Sequence, residues 1–491
     1  MQTDFDVIIL GAGSGGYAAA RTAAAGGLKV AVIEGGEEVG GLCILRGCMP
    51  TKALLYAAEV LHLARHAGTW GIQVGTPGFD WPAVIARKDR LIADFADFRV
   101  KQLNDGRFTF IRDRARFRDP QTVELASGRT LAARHFVIST GSVVSEPPLA
   151  ALRTVGYLTS DEAIRLPQPP QSLIVLGGGA VAMEFAQFFQ RFGVAVTVVQ
   201  RSQHILRDFD PDAATAVETA LRREGMELFT GTRLTNAGKT SAGKFVEFEQ
   251  AGKTVRVGAE EILFALGRTP NTAGLNLAAA GVQTDGPRIV TDDTMRTSAP
   301  HIFAAGDCTG PYEIVHIAIQ QGETAAKNIL GSTTPLTRPS GTLPPSDGER
   351  DGVGGRPALQ DDHRMDYRLL TSVVFTDPQV GVVGLTEKAA QERGIPYIAA
   401  SYPFNDHGKS LILEALDGFV KLLADPRTGE ILGGACVGPS GGELIHEIIT
   451  AMHAQMTVQQ LAVMPHYHPT LAEIWTYPAE ELAERVGTPP A

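Results

Sequence analysis

The chain has 491 residues, 44% hydrophobic and 20% charged, with a formal net charge of -10. At roughly 150 residues per domain this length suggests about three domains, and the apolar content excludes disorder as the main state. The negative charge speaks against a nucleic-acid or anionic membrane partner, and no apolar run approaches the roughly 20 residues of a membrane helix. Met1 to Asp6 is polar, with no basic segment and no cleavage site, so a cytoplasmic rather than a secreted protein is expected.

In chain order, Phe5 to Leu10 is a β-branched run that reads as a buried parallel strand. Gly11-Ala12-Gly13-Ser14-Gly15-Gly16 follows, then an Ala-rich helix to about Ala25 and a second strand from Lys29 to Ile33, ending at Glu34. This is a βαβ unit with G-x-G-x-x-G at its first turn and an acid at the spacing of a ribose-binding carboxylate. Next comes Gly40-Gly41-Leu42-Cys43-Ile44-Leu45-Arg46-Gly47-Cys48-Met49-Pro50-Thr51-Lys52. A disulfide between Cys43 and Cys48 would close a very short loop, which adds comparatively little stability. Such a bond is better explained as one that opens and closes. A metal half-site or two separate thiols are the competing readings, although Cys-x4-Cys is poor zinc-finger spacing and no metal site is expected. Met49 to Leu54 reads as the first turn of a helix, with Pro50 near its first position. The helix N-terminus and Lys52 both favour a thiolate at Cys48.

The βαβ pattern recurs. Ser172 to Leu176 is a strand, Gly177-Gly178-Gly179-Ala180-Val181-Ala182 the turn, a helix runs to about Phe192, and Ala195 to Val199 is the next strand. Here the position of the acid is Gln200, followed by Arg201, with Arg207 a short turn later. Two glycine turns, each inside a full βαβ unit, point to two dinucleotide sites. Ser332 to Arg364 is rich in Pro, Gly, Ser and Asp and reads as an exposed linker, since a structureless stretch of this length inside a compact domain is improbable. The remainder, from about Met365, opens with the strand-like runs Leu369 to Phe375 and Val380 to Val383, alternates strand and turn from Gly418 to Cys436, and turns helical from Gly442.

These motifs, with Ser139-Thr140-Gly141-Ser142, Leu266-Gly267-Arg268-Thr269-Pro270-Asn271, Ala304-Ala305-Gly306-Asp307 and His466-Tyr467-His468-Pro469-Thr470-Leu471-Ala472-Glu473, resemble the pyridine nucleotide-disulfide oxidoreductases of the glutathione reductase and dihydrolipoyl dehydrogenase type. The resemblance covers nearly the whole chain apart from the linker. It implies an α/β fold with two Rossmann-like dinucleotide-binding domains and a C-terminal α+β dimerisation domain. Residues 1–145 and 275–331 would bind FAD, 146–274 NAD(P), 332–364 would be a flexible linker and 365–491 the dimerisation domain. Gly11, Gly13 and Gly16 would admit the FAD pyrophosphate, Glu34 the adenosine ribose, Asp307 the ribityl chain and Ala115 the adenine. Gly141 and Gly267 lie in two of the shared motifs and join the cofactor contacts. Gly177, Gly179 and Ala182 would receive the nicotinamide dinucleotide, and Lys52 and Glu184 would pair near the flavin and the nicotinamide. Cys48 would be the thiol beside the flavin and Cys43 the one that attacks the substrate disulfide. His468 with Glu473 would be the base and its orienting acid, supplied to the partner subunit of a homodimer.

Cofactor choice is open between NADP and NAD. Arg201 and Arg207 match the arginines that bind a 2′-phosphate in glutathione reductases, and Ala182 in place of a third glycine is more usual with NADP. Two solvated loop arginines are the alternative. Position 180 is Ala where many relatives carry a Tyr over the nicotinamide, and the chain ends without the cysteine pair of mercuric and large thioredoxin reductases. His466 reads as a packed or metal-facing histidine, His316 as a core residue, and Cys308 and Cys436 as buried spectators. Two functions remain at this point. One is an enzyme acting on a small-molecule or carrier-bound dithiol or disulfide, with lipoyl first and glutathione reductase-like or mercuric reductase-like chemistry after it. The other is a flavoprotein subunit passing electrons to a docked protein.

Overall fold

The computed structural model describes residues 3–333 and 363–487. The chain divides into two compact units, one formed by Met1–Leu45, Phe95–Val143 and Thr269–Met365, the other by Arg46–Asp94, Val144–Arg268 and Asp366–Ala491.

The first unit is built on a mixed seven-stranded sheet. Its parallel part runs in the order Thr109–Arg112, Val30–Glu34, Phe5–Leu10, Thr130–Ile138, Ile302–Ala304. Val7, Ile8, Ile9 and Leu10 are all buried, as expected of a strand covered on both faces. Register pairs Val7 with Val30 on one side and with His135 on the other. Ala115–Asp119 and Thr122–Leu125 extend the far side as an antiparallel meander. Helix Ser14–Ala25 packs on helix Val315–Thr333, where Gly322 lies so close to the Gly15 backbone that a side chain would collide with it.

The second unit contains a four-stranded parallel sheet in the order Glu227–Phe229, Ala195–Val199, Ser172–Leu176, Glu261–Phe264. A three-stranded antiparallel sheet, Arg233–Thr240, Gly243–Gln250 and Lys253–Ala259, lies in sequence between the strands Glu227–Phe229 and Glu261–Phe264. Its core joins Leu54 and Leu61 of helix Cys48–His66 to Phe185, Phe188 and Phe189 of helix Ala180–Arg191. The C-terminal part is a five-stranded antiparallel sheet in the order Thr371–Val374, Gln379–Gly384, Ile431–Gly438, Phe419–Ala424, Ile398–Pro403. Helices Gly441–His453 and Thr476–Arg485 cover it around the fully buried Trp475.

Of the segment 332–364, residues 334–362 lie outside the described residues. Its first two positions finish helix Val315–Thr333. At its other end His363 N donates to Asn328 Oδ1 at 2.9 Å and Arg364 pairs with Asp293 at 2.6 Å. Pro50 is the third residue of its helix, because Cys48 is the first. His316 is exposed rather than core. Cys308 and Cys436 are fully buried, and burial pushes the Cys308 thiol up to about 12 and the Cys436 thiol higher than its ordinary value.

Candidate cofactor and redox sites

The first glycine turn closes strand Phe5–Leu10 onto helix Ser14–Ala25. Gly11 has φ +102° and its Cβ would press into the Ser139 carbonyl; a Cβ on Gly16 would press into the Gly11 carbonyl. Gly13 is the N-cap and no side chain caps the helix, so its first amides are left to a ligand or solvent. Gly41 approaches Gly13 so closely that a Cβ on it would lie 2.7 Å from the Gly13 Cα. Glu34 ends the second strand, and its carboxylate accepts from Ala12 N at 2.8 Å and Gly36 N at 2.7 Å. Ser142 Oγ donates to Asp307 Oδ2 at 2.6 Å. Gly141, at φ +69°, accepts from Asn271 N at 2.9 Å, and Ala115 opens its strand half-buried. Bare helix amides, glycines at close approach and a carboxylate at the strand end fit the pyrophosphate and ribose of FAD.

The second turn repeats the backbone of the first. Gly177 has φ +116° and abuts the Ala265 carbonyl, Gly179 caps helix Ala180–Arg191 without side-chain help, and Ala182 is fully buried. Gln200 is buried against Gly178, whose Cβ would lie 2.9 Å from it, and Gln200 Oε1 accepts from Arg201 N at 3.1 Å. Arg201 and Arg207 are exposed, and Arg207 Nε stands 3.6 Å from Asp208. Gly267, at φ +118°, accepts from Ser145 N at 3.1 Å. The turn and the two cations fit a nicotinamide dinucleotide.

Cys43 sits half-buried in the short helix Gly41–Leu45. Cys48, also half-buried, is the first residue of helix Cys48–His66, whose N-terminus has no side-chain cap. Thr51 Oγ1 ties that first turn to the Gly47 carbonyl at 2.7 Å, and Arg46 pairs with Asp161 at 3.2 Å. Lys52 lies 2.8 and 3.0 Å from the two oxygens of Glu184 and 4.5 Å from the centre of the Phe375 ring. Glu184 is almost fully buried and also accepts from Phe375 N at 3.0 Å, so its charge is compensated on both sides.

His468 Nδ1 lies 2.9 and 3.2 Å from the oxygens of Glu473. Its ring is 78% exposed while the carboxylate is 12% exposed, which leaves Nε2 open for proton exchange. His407 reaches the same carboxylate, with Nε2 at 3.3 Å from Glu473 Oε1. Burial pushes His407 below the ordinary imidazole value. Nothing local in the sequence marks His407, which is brought to Glu473 by the sheet and not by spacing. His466 is packed, its Nε2 2.5 Å from Glu447. Among the described residues His62, Glu224 and Asp377 bring three possible metal-ligand atoms within 4.8 Å of one another. The Arg191 guanidinium already holds two of them, at 2.7 Å from Glu224 and 2.6 Å from Asp377, so a cation there would meet a resident positive charge. No helix among the described residues is long and apolar enough to cross a membrane.

The pyridine nucleotide-disulphide oxidoreductase family model matches residues 5–322, and the family's dimerisation-domain model matches residues 370–479. The chain belongs to that family. It is a flavin-dependent disulfide oxidoreductase of the dihydrolipoyl dehydrogenase-like type, with FAD and NAD or NADP as cofactors, and it carries the family's dimerisation domain. It is 33% identical to a dihydrolipoyl dehydrogenase of Chlamydia muridarum over 502 aligned residues, covering 100% of this chain and 98% of that protein. A mercuric reductase of Bacillus cereus is 32% identical over 96% of this chain and 70% of its own length. The crystal structure of LpdA from Mycobacterium tuberculosis superposes with a TM-score of 0.82 at 28% identity, over 97% of this chain and 99% of that one.

Proposed function

We propose that the enzyme exchanges electrons between a nicotinamide dinucleotide and a dihydrolipoyl-type dithiol through Cys43 and Cys48. One observation carries this reading. A histidine whose Nδ1 is held by a buried carboxylate and whose ring is 78% exposed belongs to the same chain as a Cys-x4-Cys whose second thiol opens an uncapped helix. The domain roles proposed are FAD on residues 1–145 and 275–331, the nicotinamide dinucleotide on 146–274, a linker over 332–364 and a homodimer interface on 365–491. The FAD ligands proposed are Gly11, Gly13, Gly16, Glu34, Ala115, Gly141 and Asp307. We place the enzyme in the cytoplasm, where thiols are kept reduced.

When bound, FAD supplies a two-electron carrier between nicotinamide hydride and the cysteine pair. The chain's own residues do the thiol chemistry. In the reductive direction the Cys43 thiolate attacks one sulfur of the substrate disulfide, forming a mixed disulfide and releasing a thiolate. His468 Nε2–H of the partner subunit protonates that leaving thiolate, and Glu473 keeps the proton on Nδ1 so that Nε2 faces the sulfur. The Cys48 thiolate, favoured by the helix N-terminus and Lys52, then attacks Cys43 Sγ. The second substrate sulfur leaves as a thiolate that takes its proton from solvent, and Cys43–Cys48 is now a disulfide. Substrate disulfide is reduced to dithiol and the enzyme dithiol is oxidised to disulfide, so electrons balance. Run in reverse, the same steps oxidise a dithiol, with His468 taking its proton.

The test is turnover of free dihydrolipoamide with NAD+ and NADP+, beside glutathione disulfide and Hg(II) with NADH and NADPH. Dihydrolipoamide oxidation is expected to exceed the others, and Cys43→Ser is expected to remove it. Turnover of Hg(II) or glutathione disulfide with none of dihydrolipoamide would overturn the lipoyl assignment. Full dihydrolipoamide turnover in Cys43→Ser would overturn the thiol route.

A further inference from the structure

The carboxylate that orients His468 serves a second histidine. His407 lies between strand Ile398–Pro403 and the short helix Gly408–Leu413 and has no exposed surface. Its Nδ1 is 2.8 Å from Ser410 Oγ. Its Nε2 is buried, 3.3 Å from Glu473 Oε1, with no hydrogen bond of good alignment to any described residue. The rings of Phe404 and Tyr477 stand edge-on to it, at 6.5 and 6.4 Å between centres. Tyr477 is in turn stacked on Tyr402 at 4.0 Å. The imidazole is therefore fixed in place, and its one unused nitrogen lies 3.3 Å from the carboxylate.

The tautomer follows from the partners. An ionised carboxylate only accepts, so a lone pair on His407 Nε2 would face another acceptor. The arrangement that avoids this has Nε2–H toward Glu473 and the Ser410 hydroxyl donating to Nδ1. Burial, which disfavours the charged ring, keeps His407 neutral and so leaves Nδ1 free to accept.

We propose that His407 is a positioning residue: its Nε2–H is a second donor that holds the Glu473 carboxylate in the orientation from which it receives His468 Nδ1–H. During exchange His468 gains and loses a proton, and the pull between its ring and Glu473 changes each time. A carboxylate anchored by one partner alone is able to follow the moving ring; one held from behind by an immobile donor keeps the ring's outward nitrogen on line. The chain Ser410–His407–Glu473–His468 thus extends the base pair inward by two residues. The proposal rests on the reading of His468 as the base.

The experiment measures disulfide-linked turnover of the holoenzyme, dihydrolipoamide with NAD+ or NADP+, divided by ferricyanide reduction by the same preparation with NADH or NADPH as the electron donor, which draws electrons without using the thiols. His468→Ala is expected to lower the normalised kcat on the order of a hundredfold or more, the range of a lost general base. His407→Leu, which fills the space and donates nothing, is expected to lower it about tenfold, with KM for the dithiol within about twofold. His407→Gln, whose amide can donate to Glu473, is expected to stay within about threefold of the parent. Equal normalised kcat for His407→Leu and His407→Gln, with His468→Ala collapsed, overturns the positioning role and leaves the base reading standing. Retained disulfide turnover in His468→Ala overturns the base reading and this proposal with it. If His407→Leu fails to retain FAD, Ser410→Ala against Ser410→Thr decides the matter. A loss of about threefold in the Ala variant alone supports the chain of donors, since a typical hydrogen bond is worth about 1 kcal/mol net; equal activity of the two overturns it.

Discussion

The two glycine turns use one backbone and end on different residues. In each, the first glycine sits at positive φ with its α-carbon against a carbonyl just past the neighbouring parallel strand: Gly11 on Ser139 beside Thr130–Ile138, and Gly177 on Ala265 beside Glu261–Phe264. In each, a glycine caps the following helix and contributes no side-chain bond to it. The turns part at the end of the second strand. Glu34 presents a carboxylate braced by two backbone amides, whereas Gln200 folds back on Arg201 N and leaves two exposed arginines on the loop beyond it. The shared part answers what any dinucleotide needs, bare amides for a pyrophosphate and no Cβ in the way. The divergent part answers what differs between dinucleotides, the ribose and what is attached to it.

The comparison breaks hardest at the first glycines. Alanine at φ near +100° is strained and, at both positions, drives a Cβ into a carbonyl; the backbone alone costs about 1–2 kcal/mol and the collision more. Gly11→Ala is expected to yield protein with at least about tenfold less bound flavin, read from absorbance against protein concentration. Gly177→Ala is expected to keep its flavin and lose nicotinamide-dependent reduction of it by a similar factor. Equal flavin loss in both variants would show that the turns do not serve separate ligands.

Much of this was legible in the sequence because the determinants are local. Val7 to Leu10 and Leu173 to Leu176 are continuous apolar runs, which only a strand covered on both faces accommodates. The glycines follow them directly, and Glu34 and Gln200 fall at the next strand ends by simple counting. What stayed hidden depends on tertiary placement. His407 meets Glu473 across 66 positions because strand Ile398–Pro403 and helix Thr476–Arg485 pack together, and no periodicity encodes that meeting. His316 stands among apolar neighbours, yet the helix that begins at Val315 turns it outward. The helix after the redox loop starts at Cys48, two residues before the proline that suggests a start, since Pro50 at the third position still loses no intrahelical bond.

A smaller effect sharpens the role of the strand-end residue in the first turn. Glu34→Ala removes an acceptor from Ala12 N and Gly36 N as well as the seat proposed for the FAD ribose. Two lost charge-assisted hydrogen bonds at about 1.5 kcal/mol or more each are partly replaced by water, so flavin affinity is expected to fall about tenfold to a hundredfold. Fluorescence of flavin released on dilution measures it. Affinity equal to the parent would mean that neither the brace Glu34 gives the turn nor a contact to the ribose contributes to flavin binding.

The smallest expected effect is on cofactor choice, and it asks whether the divergence at Gln200 is functional. A 2′-phosphate needs the ribose-seat acid gone and cations within reach, and the second turn meets both conditions. Asp208 lies beside Arg207 and partly offsets it, and both arginines are exposed, so each solvent-screened contact is worth little alone. Removing both, by Arg201→Ala with Arg207→Ala, is therefore expected to lower kcat/KM for NADPH about tenfold and to leave that for NADH within about twofold. Gln200→Glu is expected to move the ratio the same way by placing a carboxylate against the 2′-phosphate while offering the NADH ribose an acceptor. Assays with both cofactors at low ionic strength and again at roughly 0.5 M salt separate a charge contact from a packing one, because screening shortens its reach to a few ångströms. An unchanged NADPH to NADH ratio in the double variant would leave Arg201 and Arg207 as solvated loop residues, and Gln200 as a residue chosen for its fit against Gly178.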